Sequence, residues 1–307
     1  MIRLRSLPAG ATLAVTAPAF PADVEKIDKG IRYLEGLGYR VRRGETLTAR
    51  EGYLSGDDTL RAGELNAFFA DEAVDGIICA RGGWGTLRLL DKLDFELIAR
   101  RPKMISGYSD ITTLQLALLA KAGLPSFSGP MVAVEMADGI EDFTARHFWE
   151  QINNRKENYT LDLAALEVKT ESGGRAEGPL IGGCLSLISH LLGTPYMPDV
   201  TGSIFFIEDV GEEPYKMDRY LAHLRQAGVF ERINGLIIGQ FLDCEDARRP
   251  EPTIHEVLYE YIRELTIPVI YDFPYGHGMR KVSMPIGAHA ELDTYSGTLC
   301  FSNLFSD

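Results

Sequence analysis

A hydroxyl, an imidazole and a carboxylate stand at three places where the backbone could aim them at one another. In MISGYSDITT (104–113) an apolar run meets a glycine turn and then the helix-like LQLALLAKAG, so Ser109 lies at a strand-to-helix apex. Serine there is first of all a preferred helix N-cap, because its side-chain oxygen accepts from an orphan backbone N–H. The same position suits a nucleophile elbow, where a tight turn lifts the hydroxyl out of the sheet at a helix N-terminus. The G-x-S-x-G spacing is half met, with Gly107 two before Ser109 and Ile111 two after it.

A serine nucleophile needs a base to take its proton and an acid to orient the base. His147, His223 and His255 fall in amphipathic helix patterns, His190 in a helix expected near the core, and His289 in a strand. His277 differs, being flanked by glycines in FPYGHGMR after a strand. Such a loop can bring an imidazole close to another part of the fold, with an exposed loop histidine as the equal alternative. The acid is sought in SIFFIED, where an apolar strand runs into Glu208 and Asp209. Spacing does not say which of the two faces inward. Glu212 and Glu213 read as the acidic first turn of the next helix.

An oxyanion hole needs two backbone donors aimed at one point. One is the N–H of Asp110, the residue after Ser109. The second is expected from ARGGWG, where Gly82 and Gly83 permit a tight turn beside a ligand. Neither a P-loop nor G-x-G-x-x-G after the first strand is present. H-E-x-x-H and paired Cys/His spacing are absent as well, so neither metal nor cofactor is expected.

The elements that must position these groups follow from periodicity. Strand-like and helix-like segments alternate up to 152, which predicts an N-terminal α/β domain over 1–152 with a doubly wound, mostly parallel sheet. Ligands bind beyond the carboxyl ends of such strands, where both RGGWG and GYSD fall. Residues 153–175 are polar and turn-rich and read as a linker. From 176 to 307 helices mix with closely spaced closing strands (268–273, 281–292, 297–302), giving a second, smaller β-rich α+β domain. The 307 residues, 45% hydrophobic, allow a core that needs no disulfide or metal staple. A net charge of −13 and a pI near 5.0 argue against nucleic acid or an anionic membrane as partner. Cys79, Cys184, Cys244 and Cys300 form no C-x-x-C pair, and Cys79 and Cys300 read as small core residues. With no signal-type h-region or spanning run, the expected location is cytoplasmic.

Six stretches in order, RGGWG, GYSDIT, SFSGPM, GGCLSLISHLLGTP, FIEDVGEEPYKMDR and FPYGHG…MPIGAHAEL, closely resemble the LD-carboxypeptidases over nearly the whole chain. That family of serine peptidases includes muramoyl-tetrapeptide carboxypeptidases and a microcin-immunity branch. The resemblance implies Ser109 as nucleophile, His277 as base, Glu208 rather than Asp209 as acid, and Gly83 with Asp110 as oxyanion donors. It implies a murein tetrapeptide as substrate, cleaved before a terminal D-alanine; a homodimer is the expected assembly. Arg81, Arg280 and Lys281 are candidates for holding the substrate carboxylate, and Trp84, where relatives often carry another aromatic, for a pocket wall. Cys184, where many relatives have asparagine, is a second departure. Hydrolysis of peptidyl nucleotides and a non-catalytic peptide- or sugar-binding module are the alternatives. An intact Ser/Glu/His set argues against the module.

Overall fold

The computed structural model describes residues 2–153, 158–245 and 252–306. Its first sheet has six strands, in the order Met284–Ile286, Ser126–Ser128, Met104–Gly107, Gly76–Cys79, Thr12–Thr16 and Arg40–Arg43. All neighbours run parallel except the first pair. The central strands GIIC and MISG are buried along their whole length, as parallel strands covered by helices on both faces must be. RVRR forms the edge, where its exposed cationic side chains discourage pairing with another chain. Helix Val24–Gly36 starts where Asp23 accepts from the Glu25 N–H, and helix Asp58–Ala70 where Asp57 accepts from Leu60. Strand order reverses between Thr12–Thr16 and Gly76–Cys79, so the turns after 79 and 107 open at or next to a switch point.

The second sheet has eight strands, in the order Asn158–Asp162, Thr298–Ser302, His289–Asp293, Arg175–Cys184, Ile204–Val210, Gly235–Leu242, Val269–Tyr271 and Lys169–Ser172. The four from Arg175–Cys184 to Val269–Tyr271 are parallel and their outer neighbours antiparallel. The mixed α/β architecture is the one expected, but the second half, expected to be the smaller and of α+β type, carries the larger sheet with four parallel strands at its centre.

Four expectations need correction. The linker read at 153–175 contributes both outer strands of the second sheet, Asn158–Asp162 and Lys169–Ser172, and residues 154–157 of it lie outside the described residues. These edges expose most of their side chains, so no apolar alternation marks them. The run 281–292 is not one strand: Met284–Ile286 joins the first sheet and His289–Asp293 the second, separated at Gly287, whose φ is +89°. The chain therefore passes between the sheets twice more near its end, into the first at Met284–Ile286 and back to the second at His289–Asp293. Cys300 is half-exposed on the outward face of its strand, and His190 is exposed near the end of its short helix, so neither is a core residue. Among the described residues no helix is long and apolar enough to cross a membrane.

Candidate active site

Ser109 has φ +64°, the left-handed region that few non-glycine residues occupy. Such a conformation persists only where its surroundings over-determine it. Here the Gly107 carbonyl accepts from Gln115 Nε2 at 3.0 Å and from the Gly129 N–H at 3.3 Å. Thr86 Oγ1 donates to the Asp110 carbonyl at 2.6 Å, and the Thr86 N–H to the Asp110 carboxylate at 2.9 Å. Burial pushes the Asp110 carboxyl above its ordinary value, against the lowering by hydrogen bonds from Thr86 and the Gly85 N–H. A side chain at Gly107 would meet Ile111 at 3.0 Å and Cys79 at 3.1 Å. The half-met motif has its reason there: the bare Gly107 makes room for the buried Ile111 where other elbows carry glycine. Ser109 does not cap the helix, since the cap position falls to Asp110 with no side-chain cap bond.

The RGGWG turn lies directly over the hydroxyl. A Cβ on Gly82 would stand 3.2 Å from Ser109 Oγ, and Gly83 turns at φ +122°. Among the described residues the backbone N–H groups of Gly83 and Asp110 have no acceptor. Unpaired donors beside a partly exposed hydroxyl are what an oxyanion hole supplies.

Glu208 and Asp209 alternate along their strand and serve opposite sides. Glu208, wholly buried, places Oε2 2.8 Å from His277 Nδ1, and its Oε1 has no partner among the described residues. Asp209 accepts instead from the N–H groups of Ser186 at 2.7 Å and Val210 at 2.8 Å. Burial and the neighbouring Glu208 raise the Asp209 carboxyl to about 6. A carboxylate at Nδ1 fixes the imidazole tautomer and leaves Nε2 to exchange a proton. His277, 18% exposed, packs edge-on against Tyr108, the residue before Ser109, with ring centroids 5.0 Å apart.

The loop bearing His277 is the connection that crosses from Val269–Tyr271 of the second sheet to Met284–Ile286 of the first. A bulge lets it pass. Register between Ile204–Val210 and Gly235–Leu242 slips by one residue between Ile207 and Asp209, at Gly239 and Gln240. Gln240 donates its N–H to the Tyr275 carbonyl at 2.8 Å and accepts from the Gly278 N–H at 3.1 Å. Bulges beside sites re-aim side chains in this way.

With this geometry in view the relatives become informative. Residues 13–129 match the LD-carboxypeptidase N-terminal domain, and 177–292 the LD-carboxypeptidase C-terminal domain. The chain is 37% identical over 296 residues to the probable murein peptide carboxypeptidase of Bacillus subtilis, covering 96% of this chain and 92% of that one. This chain belongs to the LD-carboxypeptidase family. It is a serine-type carboxypeptidase. The crystal structure of muramoyltetrapeptide carboxypeptidase from Oxalobacter formigenes superposes with a TM-score of 0.86 at 29% identity, over 96% of this chain and all of that one. The microcin C7 self-immunity protein MccF in its wild-type apo state superposes with 0.92 at 25% identity, over the full length of both.

In this LD-carboxypeptidase the cations proposed for the substrate fare differently. Lys281 is 2% exposed and ion-paired with Glu135, so its charge is already matched. Arg280 is exposed with its guanidinium 4.2 Å from the Phe143 ring centroid. Arg81, on the glycine turn, lies 3.4 Å from the Pro21 carbonyl and has no carboxylate partner among the described residues. Trp84, on the same turn, is partly exposed. Sequence reasoning missed Tyr108, Glu135 and Gln240. A lone glutamate in the apolar run MVAVEMA was the one signal available for Glu135. Among the described residues one exposed group of metal-type side chains, Glu177, His289 and Glu291, includes none of Ser109, Glu208 and His277.

Proposed function

We propose that this carboxypeptidase removes the terminal D-alanine of murein tetrapeptides through a Ser109–His277–Glu208 triad, as a cytoplasmic, homodimeric enzyme of cell-wall recycling. The observation that carries the reading is the 2.8 Å contact between buried Glu208 and His277, set beside an elbow serine with two unpaired N–H donors. His277 Nε2 takes the Ser109 proton as Oγ attacks the carbonyl of the L-centre. The Gly83 and Asp110 N–H groups hold the oxyanion, and Glu208 stabilises the imidazolium. His277 then protonates the departing D-alanine amine, and water repeats the sequence on the acyl-enzyme. Arg81 holds the free carboxylate and Trp84 forms a wall of the pocket.

Anchoring at both the carboxylate and the oxyanion hole makes the reaction chiral. Inverting the terminal α-carbon swings its methyl into the space of the carboxylate or a wall, so the L-alanine isomer should be ignored. A pentapeptide should also be poor, because the added D-alanine moves the penultimate bond away from the anchor. Incubating the protein with each peptide and assaying D-alanine by mass tests this. Ser109→Ala and His277→Ala should each remove nearly all turnover, on the order of 10⁴-fold or more, and the double variant little more. Multiplicative losses would argue against a shared triad.

The full-length superposition on MccF favours a second reading, hydrolysis of a peptidyl nucleotide by the same three residues. Rapid cleavage of a peptidyl adenylate with the tetrapeptide left intact would establish that one instead.

A further inference from the structure

A buried ion pair ties the nucleophile's side of the site to the base's side. Lys281, four residues after His277, sets Nζ 2.5 Å from Glu135 Oε1, and the two side chains are 2% and 9% exposed. Glu135 Oε1 also accepts from the Tyr108 hydroxyl at 2.7 Å, and Oε2 from the Met131 N–H at 2.9 Å. The Lys281 ammonium stands 4.0 Å from the centroid of the Tyr108 ring, and that ring meets His277 edge-on. Thr144 adds two bonds to the same loop, donating to the Met279 carbonyl at 2.8 Å and accepting from the Lys281 N–H at 2.9 Å.

We propose that Glu135, Lys281 and Tyr108 form a clamp that sets the His277 ring against the Ser109 elbow, acting on the rate of the chemical step and not on substrate binding. The inference rests on Ser109 and His277 being nucleophile and base. A buried ion pair is a poor source of stability, because desolvation offsets most of the attraction, and apolar replacement of both partners is often neutral. What this pair supplies is direction. One carboxylate fixes the residue before the nucleophile and the fourth residue after the base, while Gly276 and Gly278 alone would leave the loop free to slide. Glu135 and Lys281 are thus positioning residues, and their charges are consumed by each other before any substrate arrives.

The test compares Lys281→Met, Glu135→Gln, the double variant Glu135→Gln/Lys281→Met and Tyr108→Phe in steady-state kinetics and thermal melting. Each charge variant should lose roughly 10- to 100-fold in kcat with KM within about twofold, as small misplacements of reacting groups do. Fluorophosphonate labelling of Ser109 should slow in parallel. The double variant, leaving no lone buried charge, should melt above either single one and yet stay slow. Tyr108→Phe keeps the ring between Lys281 and His277 and should lose less than the double variant. A double variant with wild-type kcat would overturn the clamp, as would a KM that rises while kcat holds, since Lys281 would then anchor substrate. Ser109→Ala and His277→Ala from the same preparation separate the two levels. If they retain turnover, the triad falls and the clamp with it; if they are inactive while the double variant is fully active, the clamp alone falls.

Discussion

The serine elbow and the histidine loop face one another, yet they are built by opposite means. The elbow is strained and held locally, with Gln115 and Thr86 supplying its bonds from 8 and 24 residues away. The loop is held almost entirely from a distance, by Glu208 across 69 residues, Thr144 across 135 and Glu135 across 146. Gln240 pins it from 38 residues away. A nucleophile must sit in a conformation its neighbours would not choose, and a strand-turn-helix supplies enough nearby bonds to enforce that. A base needs an ordinary conformation at an exact place, which only contacts from other elements can define.

After the nucleophile and the base themselves, the largest effect should come from the loop's acid. Glu208→Gln is expected to keep the fold and lower kcat by roughly 10²–10⁴, because an amide at Nδ1 favours the wrong imidazole tautomer. Asp209→Asn, which still accepts from the Ser186 N–H, should cost less than about tenfold. Finding Asp209 the more damaging position would reverse the assignment of the acid and place the base elsewhere. Next come the glycines. A methyl on Gly276 would lie 2.7 Å from Glu208 Oε2 at a φ of +133°, so both contact and backbone resist it. On Gly278 it would meet the Gln240 amide at 2.3 Å, the far end of a side chain that can turn away. Gly276→Ala should therefore lose roughly 10²-fold in kcat and Gly278→Ala no more than about tenfold. Equal losses would mean that the loop is not fitted to Glu208 in particular.

Acid should loosen the loop before the elbow. His147 shares a helix with Thr144, and its pKa is lowered to about 4 by burial and then by Arg146 and Arg280. In the unfolded chain it titrates near its ordinary value, so between about pH 6.5 and 4 the unfolded state holds more protons. Stability is then fully present above about pH 6.5 and falls as pH drops, by roughly 2 kcal/mol once screening is allowed for. His147→Gln should flatten that part of the melting-temperature profile. Hydrogen exchange at pH 5 should show the Gly278 and Lys281 amides, bonded to Gln240 and Thr144, losing protection ahead of the Thr112 and Thr113 amides, bonded to the Ser109 and Asp110 carbonyls; the reverse order would contradict the division drawn between the two regions.

That division also explains what the sequence discloses. Gly107, Ser109 and the apolar helix after them are adjacent in the chain, so strand, turn and hydroxyl are legible from a single stretch. The parallel core of the first sheet is legible for the same reason, since GIIC and MISG are continuous buried runs. Residues alone left Glu208 and Asp209 undecided, because alternation says that they face opposite ways but not which way the site lies. Glu135 and Lys281 were misread or missed because their partners are set by the late crossing of Met284–Ile286 into the first sheet. The outer strands at 158–162 and 169–172 expose most of their side chains and so carry no burial pattern to read.

The smallest predicted effect isolates the elbow's strain. Ser109→Ala and Ser109→Gly both remove the hydroxyl, so both should be inactive, and any difference between them belongs to the backbone. At φ +64° alanine pays the steric cost of the left-handed conformation, about 1–2 kcal/mol, whereas glycine does not. Glycine's looser unfolded state takes back part of this, roughly 0.5 kcal/mol or more. The glycine variant should therefore be the more stable by about 1 kcal/mol, or a rise of roughly 2–3 °C in melting temperature for a chain of this size. Asp272, at φ +58° where the histidine loop begins, is the control. Aspartate tolerates this region better than alanine does, so Asp272→Gly should gain only a few tenths of a kcal/mol over wild type. If Asp272→Gly gained as much as Ser109→Gly does over Ser109→Ala, the strain would be shared by both regions and the elbow would have no special claim to it.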